Sequence, residues 1–225
     1  MARILVINPN SSESVTTALD RALEPLRRTG GPRVDCLTLS EGPAGIETQA
    51  QVDAASGHVT AAIAREAANA YVIACFSDPG LHAAREATLA PVFGIAESAL
   101  ATAVILGTRV GIVAIRSASI PRHLRMIDAL GLRSRLAGDR ALEIGVTGLA
   151  DETTTEARLL EVGRALITRD GADVLILGCA GMARYRERVE RALGVPVIDP
   201  TQAAVAQAQA ALALGWRRAS PVKET

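Results

Sequence analysis

Short runs rich in Ile, Val and Leu alternate along this chain with longer Ala-rich stretches whose apolar positions recur at helical spacing. The pattern predicts strands over residues 4–7, 33–39 and 70–74, and helices over 14–28, 51–68 and 81–88. The second half predicts the same series again, with strands over 110–115, 141–146 and 174–177 and helices over 121–130, 153–169 and 183–193. Such alternation implies an α/β fold with mostly parallel sheets covered by helices. Several strand runs are continuously apolar rather than alternating, as strands buried on both faces are.

The two halves resemble each other in more than element order. In residues 70–106 and again in 172–214 an apolar strand runs into Cys, Gly follows within a few positions, and a short helix leads to a Pro-Val strand, an acidic residue and an Ala-rich helix. Cys75 precedes Pro91 by 16 positions and Cys179 precedes Pro196 by 17. Upstream, the strand ending at Asn8-Pro9-Asn10-Ser11-Ser12 corresponds to the one ending near Arg116-Ser117-Ala118-Ser119. A duplication is the economical explanation, and it predicts two pseudo-symmetric lobes that face each other. No low-complexity linker marks their boundary, which we place near Ala99. Residues 1–99 with about 205–225 then form the first lobe, 100–204 form the second, and the last helix, 201–214, returns to pack on the first lobe.

Composition narrows the function. A chain of 225 residues can bury a full core. Its apolar runs fall far short of the ~20 residues of a membrane span, and the opening apolar run lacks the length and cleavage pattern of a signal peptide. A cytoplasmic protein is the expectation, and the Asn10-Ser11-Ser12 sequon then reads as a polar loop. With 24 basic and 24 acidic residues, the arginines interleaved with acids, nucleic acid is not an expected partner. Three cysteines without a closely spaced pair suit neither a disulfide framework nor a zinc site, and His58, His82 and His123 are too dispersed to suggest a metal centre. The only lysine, Lys223, lies in a polar tail, which removes a pyridoxal phosphate Schiff base. No metal and no cofactor are expected, and the partner is a small-molecule substrate. Ala-rich helix faces suit internal packing and subunit contacts alike, so a homo-oligomer stays open.

Cys75 and Cys179 each end a hydrophobic strand at a helix entrance, where open α/β sheets bind ligands. Backbone N–H groups and the helix dipole there are expected to lower the thiol pKa and favour a thiolate. If the lobes face each other, the two thiols flank one cleft as base and acid on opposite faces of a substrate carbon. Cys36, in mid-strand and without a repeat partner, reads as core. Phe76, Ser77 and Gly80 beside one cysteine, and Gly178, Ala180 and Gly181 beside the other, offer backbone amides to a substrate oxygen. Asp78 reads as the cap of a helix beginning near Pro79. Asn8 and Ser11 supply donors beyond the first strand. Arg116 and Ser117 follow the equivalent strand, where an arginine suits a substrate carboxylate. Glu97 and Asp199 follow the Pro-Val strands and read as structural or orienting acids. For Arg122 the sequence favours a solvated loop, and for His123 a structural place over a substrate contact.

These residues resemble the aspartate/glutamate/hydantoin racemase superfamily, and most of all its hydantoin racemase branch. The likeness runs over nearly the whole chain. It rests on Ile4-Leu5-Val6-Ile7-Asn8-Pro9-Asn10-Ser11, Glu41-Gly42-Pro43 with Ile46-Glu47, Ile73-Ala74-Cys75-Phe76-Ser77-Asp78-Pro79-Gly80, Pro91-Val92-Phe93-Gly94-Ile95-Ala96-Glu97 and Leu177-Gly178-Cys179-Ala180-Gly181-Met182. The resemblance implies two Rossmann-like lobes about a pseudo-twofold axis and a substrate enclosed between them. It also implies proton transfer by Cys75 and Cys179 without metal or cofactor, and a pocket lined by Asn8, Phe76, Ser77, Gly178 and Ala180. One departure stands out: hydantoin racemases carry a Thr-Thr pair where this chain has Ala114-Ile115. That leaves hydantoins, allantoin and amino acids of the aspartate/glutamate type as candidate substrates. A single-cysteine reaction, as in maleate isomerases or arylmalonate decarboxylases, and a non-catalytic two-lobe binding module are the competing readings.

Overall fold

A computed structural model describes residues 1–219 of the chain. Lys223 and the end of the tail assigned to the first lobe lie outside the described residues.

Two four-stranded parallel sheets are built from the same plan. The first contains β1 (Arg3–Asn8), β2 (Arg33–Thr38), β3 (Ala70–Ile73) and β4 (Val92–Gly94), in the spatial order β2-β1-β3-β4. The second contains β5 (Val110–Ala114), β6 (Leu136–Ala141), β7 (Val174–Leu177) and β8 (Val197–Ile198), in the order β6-β5-β7-β8. Every pairing is parallel, and β1 and β3 in one sheet stand where β5 and β7 stand in the other. The central strands are buried along nearly their whole length, which explains their unbroken apolar sequences. Two lobes of α/β class related by a pseudo-twofold repeat are therefore the architecture.

Helices α1 (Glu13–Ala22), α2 (Gln49–Arg65), α3 (Leu81–Ala87) and α4 (Ile95–Leu106) belong to the first half, and α5 (Ile120–Ala129), α6 (Glu152–Thr168), α7 (Arg186–Leu193) and α8 (Pro200–Ala213) to the second. The fourth helix of each half crosses over. After β4, α4 packs on β7 and β5 of the second sheet; after β8, α8 packs on β1, β3 and β4 of the first. The two crossing helices also pack on each other, so the lobes are joined through a shared apolar layer.

Three expected elements are displaced. The strand expected over 141–146 is instead β6 at Leu136–Ala141. This edge strand carries Gly138, Asp139 and Arg140 and has no apolar run to betray it, whereas Leu142 and Val146 are buried in the loop beyond it. The helix expected over 14–28 stops at Ala22, and a 3-10 turn around Pro25 follows, because proline suits a first turn but not a helix interior. The helix expected over 183–193 begins as a 3-10 segment, Ala180–Tyr185, before α7.

Candidate active site

Both cysteines are set by the same backbone device. Beyond β3 the N–H of Ala74 donates to Ile7 O at 2.8 Å, Cys75 N to Ile73 O at 3.0 Å, and Asp78 N to Cys75 O at 2.9 Å. Beyond β7 the N–H of Gly178 donates to Val113 O at 2.8 Å, Cys179 N to Leu177 O at 2.8 Å, and Met182 N to Cys179 O at 3.1 Å. The repeat thus extends from strand order to individual hydrogen bonds. Each turn also faces a helix of the opposite half. The segment after Cys179 packs on α1, and Phe76, next to Cys75, meets the His123 ring of α5 edge to face, centroids 5.1 Å apart.

Between the two turns lies one small cavity of about 30 Å³, and both cysteines line it. Phe76, Ser77, Gly178, Ala180 and Gly181 line it as well. The switch point of a β2-β1-β3 sheet, where consecutive connections leave to opposite sides, is the expected ligand crevice of a doubly wound fold. Here two such points meet. Asn8, Ser11, Arg116 and Ser117 do not reach the cavity wall. Asn8 is buried and donates through Nδ2 to Asn10 Oδ1 (3.0 Å), Ser12 O (3.2 Å) and Thr16 Oγ1 (3.0 Å), so it orients Asn10, which does line the cavity. Ser11 ties its backbone N–H to Pro43 O. Arg116 pairs with Glu47 at 2.7 Å, and the exposed Ser117 donates its N–H to Glu143.

The wall also contains residues for which the sequence carried no such expectation. Arg122 is half-buried rather than a solvated loop residue, and with Ser119 and His123 it forms a polar part of the wall. His123 is buried and held through Nδ1 by Asp139 Oδ2 at 2.7 Å. Ile46 and Val146 come from equivalent loops, after β2 and after β6. The two loops are bound together: Glu47 accepts from Val146 N at 2.9 Å and from Arg116 Nε, while Glu47 O accepts from Arg122 Nη2 at 3.0 Å. A side chain at Gly45 would bring its Cβ to 2.9 Å from Val146 Cβ, so glycine permits this closure. The Glu41-Gly42-Pro43 stretch with Ile46-Glu47 was the available signal for this lid-like segment. Ala114 and Ile115 are both buried, and Ile115 makes its part of the cavity wall apolar.

The thiols do not behave as expected from their helix-entrance positions. Burial pushes Cys75 up to about 12, the Cys179 and Asp78 charges adding to it, against the opposing pull of the Ser77 N–H and the Arg122 guanidinium. Burial likewise pushes Cys179 up to about 11, helped by Glu47 and Asp199 and opposed by the Gly181 N–H. Loss of water outweighs the backbone donors in so tight a cavity, and it favours the protonated form of both thiols. Asp78 caps α4 rather than a helix at Pro79: its two carboxylate oxygens accept from Ala96 N and Glu97 N, each at 3.0 Å. Asp199 caps α8 through Gln202 N at 2.7 Å, and Glu97 pairs with Arg85 at 2.9 Å. Neither acid lines the cavity. Cys36 lies on β2 outside it. Among the described residues no group of three or more His, Cys, Asp or Glu is arranged to hold a metal ion, and no helix is long and apolar enough to cross a membrane.

The family model for Asp/Glu/hydantoin racemases matches residues 4–208. The chain belongs to the Asp/Glu/hydantoin racemase family. Within that family it is 36% identical to a hydantoin racemase of Paenarthrobacter aurescens over 221 residues, covering 96% of this chain and 93% of that protein. Two solved racemases share the whole fold. An allantoin racemase from Klebsiella pneumoniae superposes with a TM-score of 0.90 at 33% identity, covering 97% of this chain and 91% of the other. The allantoin racemase AllR of Pseudomonas fluorescens also gives 0.90, at 26% identity over 99% of this chain and 98% of that one.

Proposed function

We propose that this protein is a racemase of hydantoin-like rings that works without metal or cofactor, exchanging the proton at a ring stereocentre between Cys75 and Cys179. The observation that carries this reading is the pair of thiols lining one cavity from equivalent turns of the two lobes. The proton on the ring carbon between the C4 carbonyl and N1 of a hydantoin is acidified by that carbonyl, so a thiolate can remove it, and a thiol on the other face returns one with inversion. One thiol must ionise first, and the N–H groups of Ser77 and Gly181 and the guanidinium of Arg122 act in that direction. The carbon loses its C–H bond pair to an enolate, the thiolate gains the proton, and the opposite thiol reprotonates carbon, leaving the two cysteines with exchanged roles. The backbone N–H of Ala180, in the cavity wall, is suited to hold the enolate oxygen. The hydantoin and allantoin racemases to which the chain is similar support the ring class.

The test is to incubate each enantiomer of a 5-substituted hydantoin, and of allantoin, in D2O. Loss of optical rotation together with deuterium at the stereocentre is expected. Absence of exchange with every ring, alongside exchange with aspartate or glutamate, would move the substrate to amino acids. If Cys179→Ser kept substantial turnover of any substrate, a single-cysteine reaction would replace the two-base one.

A further inference from the structure

Next to the cavity between the cysteines lies a second, outer cavity of about 180 Å³, and the two share Phe76, Ser77 and Arg122 in their walls. Arg125, one helical turn further along α5, also lines the outer cavity. Both guanidiniums lack a carboxylate partner among the described residues. Arg122 donates only to neutral groups: Nη1 to Ala118 O at 3.1 Å, Nη2 to Glu47 O at 3.0 Å and to Ser119 Oγ at 3.2 Å. Its Nε is buried and has no hydrogen-bond partner at all. Arg125 donates to the neutral Gln49 Oε1 at 2.8 Å.

The nearby acids are engaged elsewhere. Glu47 serves Arg116 and Val146 N, Asp53 accepts from Gln49 Nε2 at 2.8 Å, and Asp139 holds His123. A guanidinium stays charged at any working pH, and a buried donor without an acceptor is costly to keep, so this wall is built for an oxyanion brought from outside. The outer cavity shares Phe76, Ser77 and Arg122 with the cavity that both cysteines line, so it adjoins the place of a carbon held between the thiols.

We propose that the substrate carries an acidic side arm: the ring lies between Cys75 and Cys179, and a carboxylate on its 5-substituent is held in the outer cavity by Arg122 and Arg125. This rests on the racemase reading above and names the substrate class within it. Arg122 supplies the free Nε–H and Arg125 a more exposed charge that draws the acid inward.

The comparison that decides it uses 5-(2-carboxyethyl)hydantoin and its near-isosteric amide, 5-(2-carbamoylethyl)hydantoin, with deuterium exchange followed at neutral pH. The wild-type kcat/KM for the acid is expected to exceed that for the amide by about tenfold or more, as a charge-assisted pair implies. That ratio falls toward one in Arg122→Gln, falls by a smaller factor in Arg125→Gln, and is partly retained in Arg122→Lys. Arg125→Gln leaves the packing of α5 intact, so the ratio remains readable if Arg122→Gln folds poorly. A wild-type ratio of one or less overturns the proposal, and so does a ratio that both glutamine variants leave unchanged while slowing the two rings equally. Exchange with allantoin or a 5-alkylhydantoin but with neither of these two rings overturns the side-arm inference alone, whereas absence of exchange with every ring removes the ring-racemase reading on which it rests.

Discussion

The turn at Cys75 and the turn at Cys179 share a backbone and differ in nearly everything around it. Their hydrogen bonds correspond one for one, yet Cys75 is followed by Phe76-Ser77-Asp78 and Cys179 by Ala180-Gly181-Met182. In the first, Asp78 sits at a positive φ of 44° and reaches across to cap α4 with both carboxylate oxygens. In the second, the cap of α8 is supplied locally by Asp199, and its Oδ2 has no partner. The charges differ too: a guanidinium opposes the burial of Cys75, while Glu47 and Asp199 add to that of Cys179. A repeated fold thus provides two equivalent cysteine positions, and diverged side chains give each thiol its own environment.

The largest effect that would break this comparison is on catalysis. Cys75→Ser and Cys179→Ser should each lower the interconversion of enantiomers by about 10²–10⁴-fold, the usual contribution of a positioned acid or base, measured by polarimetry. Retention of activity by one variant alone would show that the equivalent turns do not have equivalent chemistry.

Next comes the difference between the two caps. Asp78→Ala should destabilise by about 2 kcal/mol, since two N–H groups at the start of the buried α4 lose their acceptor, and Asp199→Ala by about 1 kcal/mol, a single cap. Urea unfolding of both variants measures this, and equal losses would remove the asymmetry.

A smaller effect is expected where the lobes meet. Glu47→Gln should raise KM about three- to tenfold with a lesser change in kcat, because it weakens the partly exposed pair with Arg116 and the contact to Val146 N that hold the loops closed. Steady-state kinetics on the preferred ring separate the two parameters.

The gentlest test is titration. In the unfolded chain the thiols ionise near about 8.5, but in the folded protein Cys179 holds its proton to about 11 and Cys75 to about 12. Their contribution to stability is therefore complete below the unfolded value and is lost as pH rises through the folded ones. Alkylation of the ligand-free protein by iodoacetamide should stay slower than that of a model thiol at pH 8. Both thiols should remain less reactive than Cys36 denatured in urea, and stability should decline at strongly alkaline pH.

Much of the fold was legible because the signals were local. Continuous apolar runs marked the central strands β1, β3, β5 and β7, and the repeat of strand, Cys, Gly and Pro-Val tied the halves together without any spatial knowledge. The edge strand β6 was misplaced because half-exposed polar residues carry no such run. In the candidate site, the residues adjacent to the cysteines were legible by position, since a turn beyond a parallel strand faces the cleft. The donor turn 8–12 was legible in the same way, and Asn10 of it reaches the cavity; Ile46, Ser119 and Val146 were not, because only the approach of the other lobe brings them there.

The sequence by itself determined an α/β repeat and two cysteines at equivalent strand ends. Only the tertiary structure decided which side chains share the cavity, that Asp78 caps a helix far along the chain, and that burial pushes both thiols toward their protonated form. The physical reason is range. Strand burial and turn chemistry are written in neighbouring residues, whereas desolvation and the pairing of charges depend on groups that meet only when the two lobes close on each other.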